Sequence, residues 1–181
     1  MAFPLLTTER LHLRAFWVSD AARLQELAGL KEVAQGTLRL PHPYPAGAAE
    51  AWIADQQRDY EAGASINFAI TFREDGVLIG AIGLDFIMEH RHARLGYWLG
   101  KSYWNKGYAT EAVTAVLAYG FTRPDLHRIY AGHFLNNPAS GRVLQKAGMT
   151  YEGRLREHYV RFGKAVDLAL YGILRQEFEP Q

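Results

Sequence analysis

The part of the sequence best suited to chemistry is a predicted strand that runs through a short loop into a helix. The strand covers residues 93–100 and the helix residues 108–121. The first N–H groups of a helix lack intrahelical partners and lie at the positive end of its dipole, so they can bind a pyrophosphate. Gly107 has no side chain, so an anion can approach its backbone. The simpler alternative is an ordinary helix start after a turn.

A nucleoside-triphosphate loop is a competing interpretation of the same segment, because Gly96, Gly100, Lys101 and Ser102 resemble its pattern. That pattern has four residues between its two glycines, whereas this chain has three. The three are large and typical of a strand, so they would not form a phosphate cradle. The spacing therefore argues against a triphosphatase.

A second helix start follows the next predicted strand. Asn137 is suited to the N-cap, Pro138 to the first helical position, and Gly148 to the C-terminal end. Capping explains these three residues without any function. It does not explain why such a helix follows the strand that faces the first site.

Candidate proton acceptors stand in a predicted strand near the end of the chain. Strand alternation places Glu157 and Tyr159 on one face and His158 on the other. Glu157 is the first candidate for the general base, directly or through a water, and His158 is the second. The alternative is that all three are surface residues of a terminal hairpin. His90 and His92 lack a third ligand in the sequence, so no metal site is predicted.

Composition excludes several classes of protein. The 181 residues include 20 Lys+Arg and 19 Asp+Glu, for a net charge of +1, and no Cys. A nucleic-acid-binding surface is not predicted, because such surfaces are basic. Disulfides and zinc–thiolate sites are excluded, and no apolar run is long enough to span a membrane. We expect one domain over residues 1–181 and, by default, a cytoplasmic protein.

The predicted order of elements is one strand, two helices, three strands, a helix, a strand, a helix and two strands. That order describes an α/β mixed sheet with packed helices, and it lacks the strict alternation of a doubly wound fold. The predicted bounds are strands at 10–14, 66–72, 77–84, 93–100, 128–134, 152–160 and 165–174, and helices near 20–27, 48–62, 108–121 and 137–147.

Five motifs, in this order and on these elements, together resemble the GNAT superfamily of acetyltransferases, and within it the ribosomal-protein N-terminal (alanine/serine) acetyltransferases. The resemblance covers essentially the whole chain. The motifs are Thr8–Arg14, Gly96–Leu99, Lys106–Ala112, Asn137–Ser140 with Lys146–Met149, and Glu152–Arg156.

The resemblance implies a central mixed, mostly antiparallel sheet with about four helices, whose fourth and fifth strands splay apart to hold acetyl-CoA. The pantetheine would pair with the backbone of Trp98, Leu99 and Gly100. Asn137 would touch the pantetheine, and Ser140 would lie near the sulfur as the acid. The pyrophosphate would lie on the N–H groups of residues 105–110, which are Asn105, Lys106, Gly107, Tyr108, Ala109 and Thr110. Lys146 is also expected to bind the cofactor.

Two positions depart from the family's pattern. The phosphate motif often begins with Gln or Arg where this chain has Trp104, so a polar contact is lost or supplied by Lys106. Many relatives place a Tyr acid in the helix after the Asn, where this chain has Leu144 and Gln145.

The implied activity is transfer of acetyl from acetyl-CoA to a primary amine by direct attack, with a protein N-terminal α-amine as the favoured acceptor. The alternatives are a small-molecule acceptor (a polyamine, an amino acid or an aminoglycoside) and an acyl-CoA-binding protein without turnover. The expected partners are acetyl-CoA and the amine, with no nucleic acid, membrane or metal, and a homodimer stays open.

Overall fold

The computed structural model describes residues 2–178, and its centre is one eight-stranded sheet. The strand order across the sheet is β1-β2-β3-β4-β5-β6-β8-β7, and every neighbouring pair is antiparallel except β5 and β6. The strands are β1 (Leu6–Thr7), β2 (Leu11–Arg14), β3 (Ser65–Phe72), β4 (Leu78–Ile87), β5 (His92–Leu99), β6 (Arg128–Phe134), β7 (Thr150–Arg161) and β8 (Lys164–Leu174).

Five α-helices cover the two faces of this sheet. They are α1 (Ala21–Ala28), α2 (Lys31–Gln35), α3 (Ala48–Glu61), α4 (Tyr108–Phe121) and α5 (Pro138–Lys146). The apolar face of α4 buries Val113, Val116 and Leu117 in the main core, together with Phe68 of β3. The opposite face of the sheet carries a smaller core, in which α1 and α3 pack over Ala69 and Leu78.

Local sequence accounts for the element that matters most to the site. Helix α4 begins after Gly107, which adopts a left-handed φ of 85° that a residue with a side chain adopts only with strain. Its apolar face follows the helical period. Pro124 prevents the helix from continuing much beyond Phe121.

The predicted fold is confirmed, with three differences in detail. The predicted order lacked the two-residue strand β1 and the five-residue helix α2, because neither is long enough to show a periodic pattern. The helices therefore number five in residues 2–178, where about four were predicted. Counting β1 also makes the splayed strands the fifth and sixth, β5 and β6, in place of the fourth and fifth.

The start of α4 is fastened to β2 by one carboxylate. Glu111 accepts hydrogen bonds from the Thr8 hydroxyl at 2.6 Å, the Arg10 backbone N–H at 2.8 Å and the Arg10 Nε at 2.7 Å. Burial on its own would raise the pKa of Glu111, but these hydrogen bonds and the Arg10 charge lower it overall. Two motifs separated by about a hundred residues in the sequence thus meet in one ion pair.

No helix in residues 2–178 combines the length and the apolar character that crossing a membrane would require.

We predict that Glu111→Gln destabilises the fold in a pH-dependent way. A carboxylate whose pKa is lowered by folding stabilises the fold above its unfolded-state pKa, and this stabilisation is lost as the pH falls through the folded-state pKa. We expect a loss of about 2 kcal/mol at pH 7, measured by urea unfolding. The difference from the native chain should vanish in acid. Glu9→Gln, at an exposed neighbouring carboxylate, is the matched control. An equal loss at all pH values would contradict the account.

Candidate functional site

A cleft opens where β5 and β6 stop pairing. The two strands pair in parallel only from His92–Arg94 to Arg128–Tyr130, whereas β6 continues to pair with β8 as far as Phe134. The remaining half of β5 diverges from β6, and a cavity of about 1500 Å³ lies between them. Its walls come from α2 and the loop after it, from β4, β5 and β6, from the starts of α4 and α5, and from β7 and β8.

The backbone of β5 presents alternate residues to this cleft. The Arg91 carbonyl accepts from the His127 N–H at 2.9 Å, so the backbone N–H and C=O groups of odd-numbered residues point towards β6. The Gly100 N–H donates to the Ile79 carbonyl at 2.9 Å, so the backbone groups of even-numbered residues point towards β4. The groups turned towards the cleft are therefore those of Tyr97 and Leu99.

This alternation corrects part of the predicted pantetheine site. Of the three predicted residues, Leu99 faces the cleft, whereas the backbone groups of Trp98 and Gly100 are directed to β4. Tyr97 takes their place on the open edge. The alternation of a strand could have revealed this from the sequence once one facing residue was known.

The loop before α4 and the first turn of the helix form one end of the cleft. Asn105, with a left-handed φ of 59°, and Gly107 line it together with residues 108–110. The first N–H groups of α4 have no partner within the helix, so this end is suited to an anion. Lys106 does not line the cleft; its carbonyl accepts from Arg10 Nη1 at 3.0 Å.

Trp104 contributes in a different way from the polar residue that the family's pattern would place there. Its indole N–H donates to the Leu99 carbonyl at 2.8 Å. This bond satisfies one backbone group on the open edge of β5 and fixes the loop against the strand.

The start of α5 forms the wall opposite β5. Asn137 is the N-cap, and its side chain accepts from the Ser140 N–H at 3.4 Å. The hydroxyls of Ser140 and Tyr97 lie 2.7 Å apart. Burial raises the pKa of Tyr97 to about 12, against a smaller lowering by the hydrogen bond with Ser140, so the phenol keeps its proton at neutral pH. Lys146, in the last turn of α5, also lines the cleft.

The pairing of Tyr97 with Ser140 was not predicted from the sequence. No Tyr stands in α5 where many relatives have one, and Tyr97 comes instead from β5, 43 residues earlier. The only signal was the position of Tyr97 in the Gly96–Leu99 motif.

The structure contradicts the predicted arrangement of the β7 candidates. The pairing of β7 with β8 shifts between Leu155 and Tyr159, and Glu157 has a left-handed φ of 51°. Its N–H donates to Asp167 Oδ1 at 2.7 Å. As a result His158 and Tyr159 both line the cleft, whereas Glu157 lies outside it. The expected alternation fails because a strand irregularity changes which residues share a face.

Three charged residues that the sequence reasoning missed meet at the other end of the cleft. Oδ2 of Asp85 lies 2.7 Å from Arg94 Nη2 and 3.1 Å from Arg39 Nη1. Burial raises the pKa of Asp85, and Arg39 offsets part of that effect. Asp85 and Arg94 are register partners on β4 and β5, a signal that appears only when the strands are aligned.

The two histidines for which no metal role was predicted lie near this end. The rings of His90 and His92 are 5.7 Å apart, and His92 lines the cleft. Burial lowers the pKa of His92, as do the nearby charges of His90, Arg128 and His127. Within residues 2–178 no three His, Cys, Asp or Glu side chains are placed to hold a metal ion together.

His133 of β6 is a further cleft residue that the sequence reasoning did not single out. It is buried, and its Nδ1 lies 2.8 Å from the Phe134 carbonyl. Because a carbonyl only accepts, Nδ1 carries a proton; Nε2 lies beside Gly141, where an added Cβ would come within 2.6 Å of it. Gly141 is therefore required by the close packing of α5 on β6.

Comparison with known proteins agrees with this geometry. The Acetyltransferase (GNAT) domain family matches residues 10–150. The uncharacterized N-acetyltransferase YoaA of Bacillus subtilis is 33% identical over 96% of this chain and 98% of its own length. The putative ribosomal N-acetyltransferase YdaF of the same organism is 29% identical over 98% of each chain.

Solved structures give the same result. An acetyltransferase (GNAT family) from Bacillus anthracis superposes with a TM-score of 0.84 at 26% identity, covering 96% of this chain and 99% of its own. RimJ of Mycobacterium smegmatis, solved in complex with a CoA-disulfide, has a TM-score of 0.82 at 25% identity, over 99% of this chain and 89% of its own.

The splayed strands, the helix start that lines the cleft and a family match that extends over most of the sequence lead to one conclusion: the chain belongs to the GNAT family and is an acetyl-CoA-dependent N-acetyltransferase.

Proposed function

We propose that this enzyme acetylates the α-amine at the N-terminus of a peptide or protein. The observation that carries the proposal concerns the carboxylates lining the cleft. Within residues 2–178 they are Glu32 and Asp85, and each is already paired, Glu32 with Lys101 at 2.6 Å and Asp85 with two arginines. The cleft therefore offers no carboxylate free to act as a base, and the imidazole of His158 is the candidate base that lines it. A site of this kind favours an amine that holds its proton less tightly than a lysine side chain does.

The ordinary pKa values of amines give this argument its magnitude. An α-amine has a pKa of about 7.7–8.0 and a lysine side chain about 10.4, so about a tenth of α-amines are neutral at pH 7, against roughly one lysine in a few thousand. A relative named as a putative ribosomal N-acetyltransferase supports the same acceptor class.

The cleft fits acetyl-CoA at both of its distinctive parts. The open backbone edge of Tyr97 and Leu99 supplies hydrogen-bonding groups for the amides of pantetheine. The N–H groups after Gly107 and the charge of Lys146 suit its phosphates. Asn137, at the start of α5, also lines the cleft. The same fit is supported by RimJ, which was solved with a CoA-disulfide.

The proposed reaction forms a C–N bond between the amine and the acetyl carbonyl and breaks the C–S bond of the thioester. A backbone N–H on the open edge of β5 stabilises the oxyanion. Ser140, hydrogen-bonded to the protonated Tyr97, passes a proton to the departing thiolate and regains one from water, to which the base releases the proton taken from the amine. In total one proton moves from nitrogen to sulfur. His158, which lines the cleft, accepts the proton of the amine directly or through a water; Glu157, outside the cleft, is not assigned this role.

The test of the acceptor uses one peptide in two forms, with its N-terminus free or blocked and with an internal lysine in both. Mass spectrometry then locates the acetyl group. We expect acetylation of the free form at its α-amine and little reaction of the blocked form. Comparable acetylation of the blocked peptide at lysine would overturn the proposed acceptor class.

For the acid, we predict that Ser140→Ala and Tyr97→Phe each lower kcat about 100-fold with little change in the KM for acetyl-CoA. The double variant should be little worse than either single one, because the two hydroxyls act as a pair. Ser102→Ala, at an exposed serine outside the cleft, is the control. Normal turnover together with a lower melting temperature would show that the pair is only structural.

For the base, we predict that His158→Gln lowers kcat/KM at least about 100-fold, whereas Glu157→Gln leaves it nearly unchanged. The two residues are adjacent and both exposed, so each serves as the other's control. Steady-state rates with a saturating acetyl-CoA concentration decide the matter. The reverse order of effects would restore Glu157 as the base and contradict the assignment of that role to His158.

A further inference from the structure

The end of the cleft farthest from α4 is built around Asp85, Arg39 and Arg94. All three guanidinium contacts fall on one carboxylate oxygen, because Arg94 Nε and Nη2 lie 3.2 and 2.7 Å from Oδ2 and Arg39 Nη1 lies 3.1 Å from it. The charge of Asp59 also acts on Asp85. Two guanidinium groups and two carboxylates thus meet at the point where β5 and β6 begin to separate, and Arg39 is the more exposed of the two arginines.

A third arginine lies against the loop that carries Arg39. Arg161, at the tip of β7, donates to the carbonyls of Ala34 and Leu40, each at 2.9 Å, and so fixes the loop that carries Arg39. Within residues 2–178 Arg161 makes no ion pair with a carboxylate, so its charge is not neutralised. Arg128, which also lines the cleft, is by contrast fully engaged by Glu152.

The cluster lies close to where the acetyl group must be for the proposed reaction. Arg94, Gly96 and Trp98 share one face of β5, and two residues along a strand span about 7 Å. Gly96 has no side chain, and a Cβ there would meet nothing within 4 Å, so the face of β5 is open at this position between Arg94 and Trp98. The Arg39 side chain is 69% exposed and can turn to a ligand without unfolding the site.

We propose that these arginines select an acceptor that carries a carboxylate within a few ångströms of the amine that is acetylated. Arg39 and Arg94 bind the carboxylate in this arrangement, and the amine reaches past Gly96 to the thioester. The shared chemistry is an anionic amine, either a peptide whose first residue is acidic or a free amino acid. The inference rests on the proposed N-acetyl transfer and defines its substrate class.

The same charges disfavour polycationic acceptors. A polyamine or aminoglycoside would bring several positive charges into a region that already holds the guanidinium groups of Arg39 and Arg94, next to the loop that Arg161 binds. Like charges at such distances repel, and the effect weakens as salt is added. Selection by charge therefore has a signature that a merely structural cluster would lack, namely a dependence on ionic strength.

The experiment compares three peptides that differ only in the first residue, which is aspartate, asparagine or lysine. Two small amines, glycine and glycine amide, distinguish a free amino acid from a peptide as the source of the carboxylate. We expect kcat/KM for the aspartate peptide to exceed that for the asparagine peptide at least about tenfold, with the lysine peptide lowest. The ratio should shrink at high ionic strength.

The decisive variant is Arg39→Glu, with Arg58→Glu as its matched control. Arg58 lies on α3 outside the cleft and is 73% exposed, so the two variants change the net charge equally. We expect Arg39→Glu to reverse the order of the aspartate and lysine peptides and Arg58→Glu to preserve it. Should Arg39→Glu not fold, Arg39→Gln is expected to abolish the preference.

Calorimetric binding of the same peptides to the CoA-bound enzyme separates the two proposals. Turnover without any charge preference, or a preference that Arg39→Glu leaves unchanged, would overturn the charge selection alone. Charge-dependent peptide binding without turnover of any amine would overturn the proposed function and support the selection. Acetylation of glycine but of no peptide would support the selection and identify a free amino acid as its source.

Discussion

The end of backbone pairing between β5 and β6, beyond Arg94 and Tyr130, is the constraint on which the rest of the structure depends. A strand inside a sheet normally has partners on both sides, and unpaired backbone groups in the interior are costly. In this protein the second half of β5 keeps only β4, so the backbone groups of Tyr97 and the N–H of Leu99 are open to a cleft, whereas Trp104 occupies the Leu99 carbonyl. An extended ligand with amides can complete the sheet, which is how an opened fold becomes a binding site.

The cleft stays open only if its walls are held apart, and polar contacts between distant segments hold them in place. Glu111 fastens the start of α4 to β2, and Trp104 fastens the preceding loop to Leu99. On the other side Arg161 fastens the α2 loop to the tip of β7. The two ends of the cleft therefore differ in character: unpaired N–H groups for an anion at one, and guanidinium groups around Asp85 at the other.

Local signals were sufficient to predict most of the fold, including the helix starts that line the cleft. Gly107 and Pro124 delimit α4, and Asn137 caps α5, because these effects act within one turn of chain. Contacts between distant segments could not be predicted. The shift that turns Glu157 out of the cleft depends on pairing with β8, and the Tyr97–Ser140 contact depends on how two walls are placed.

The most direct test of the opened edge is residue-resolved amide exchange by NMR, with and without CoA. Tyr97 and Leu99 should exchange rapidly in the free protein and slowly when CoA is bound, because the ligand completes their hydrogen bonds. Trp98 and Gly100, directed to β4, should be protected in both states. Saturating CoA that leaves Tyr97 and Leu99 unprotected would contradict the account.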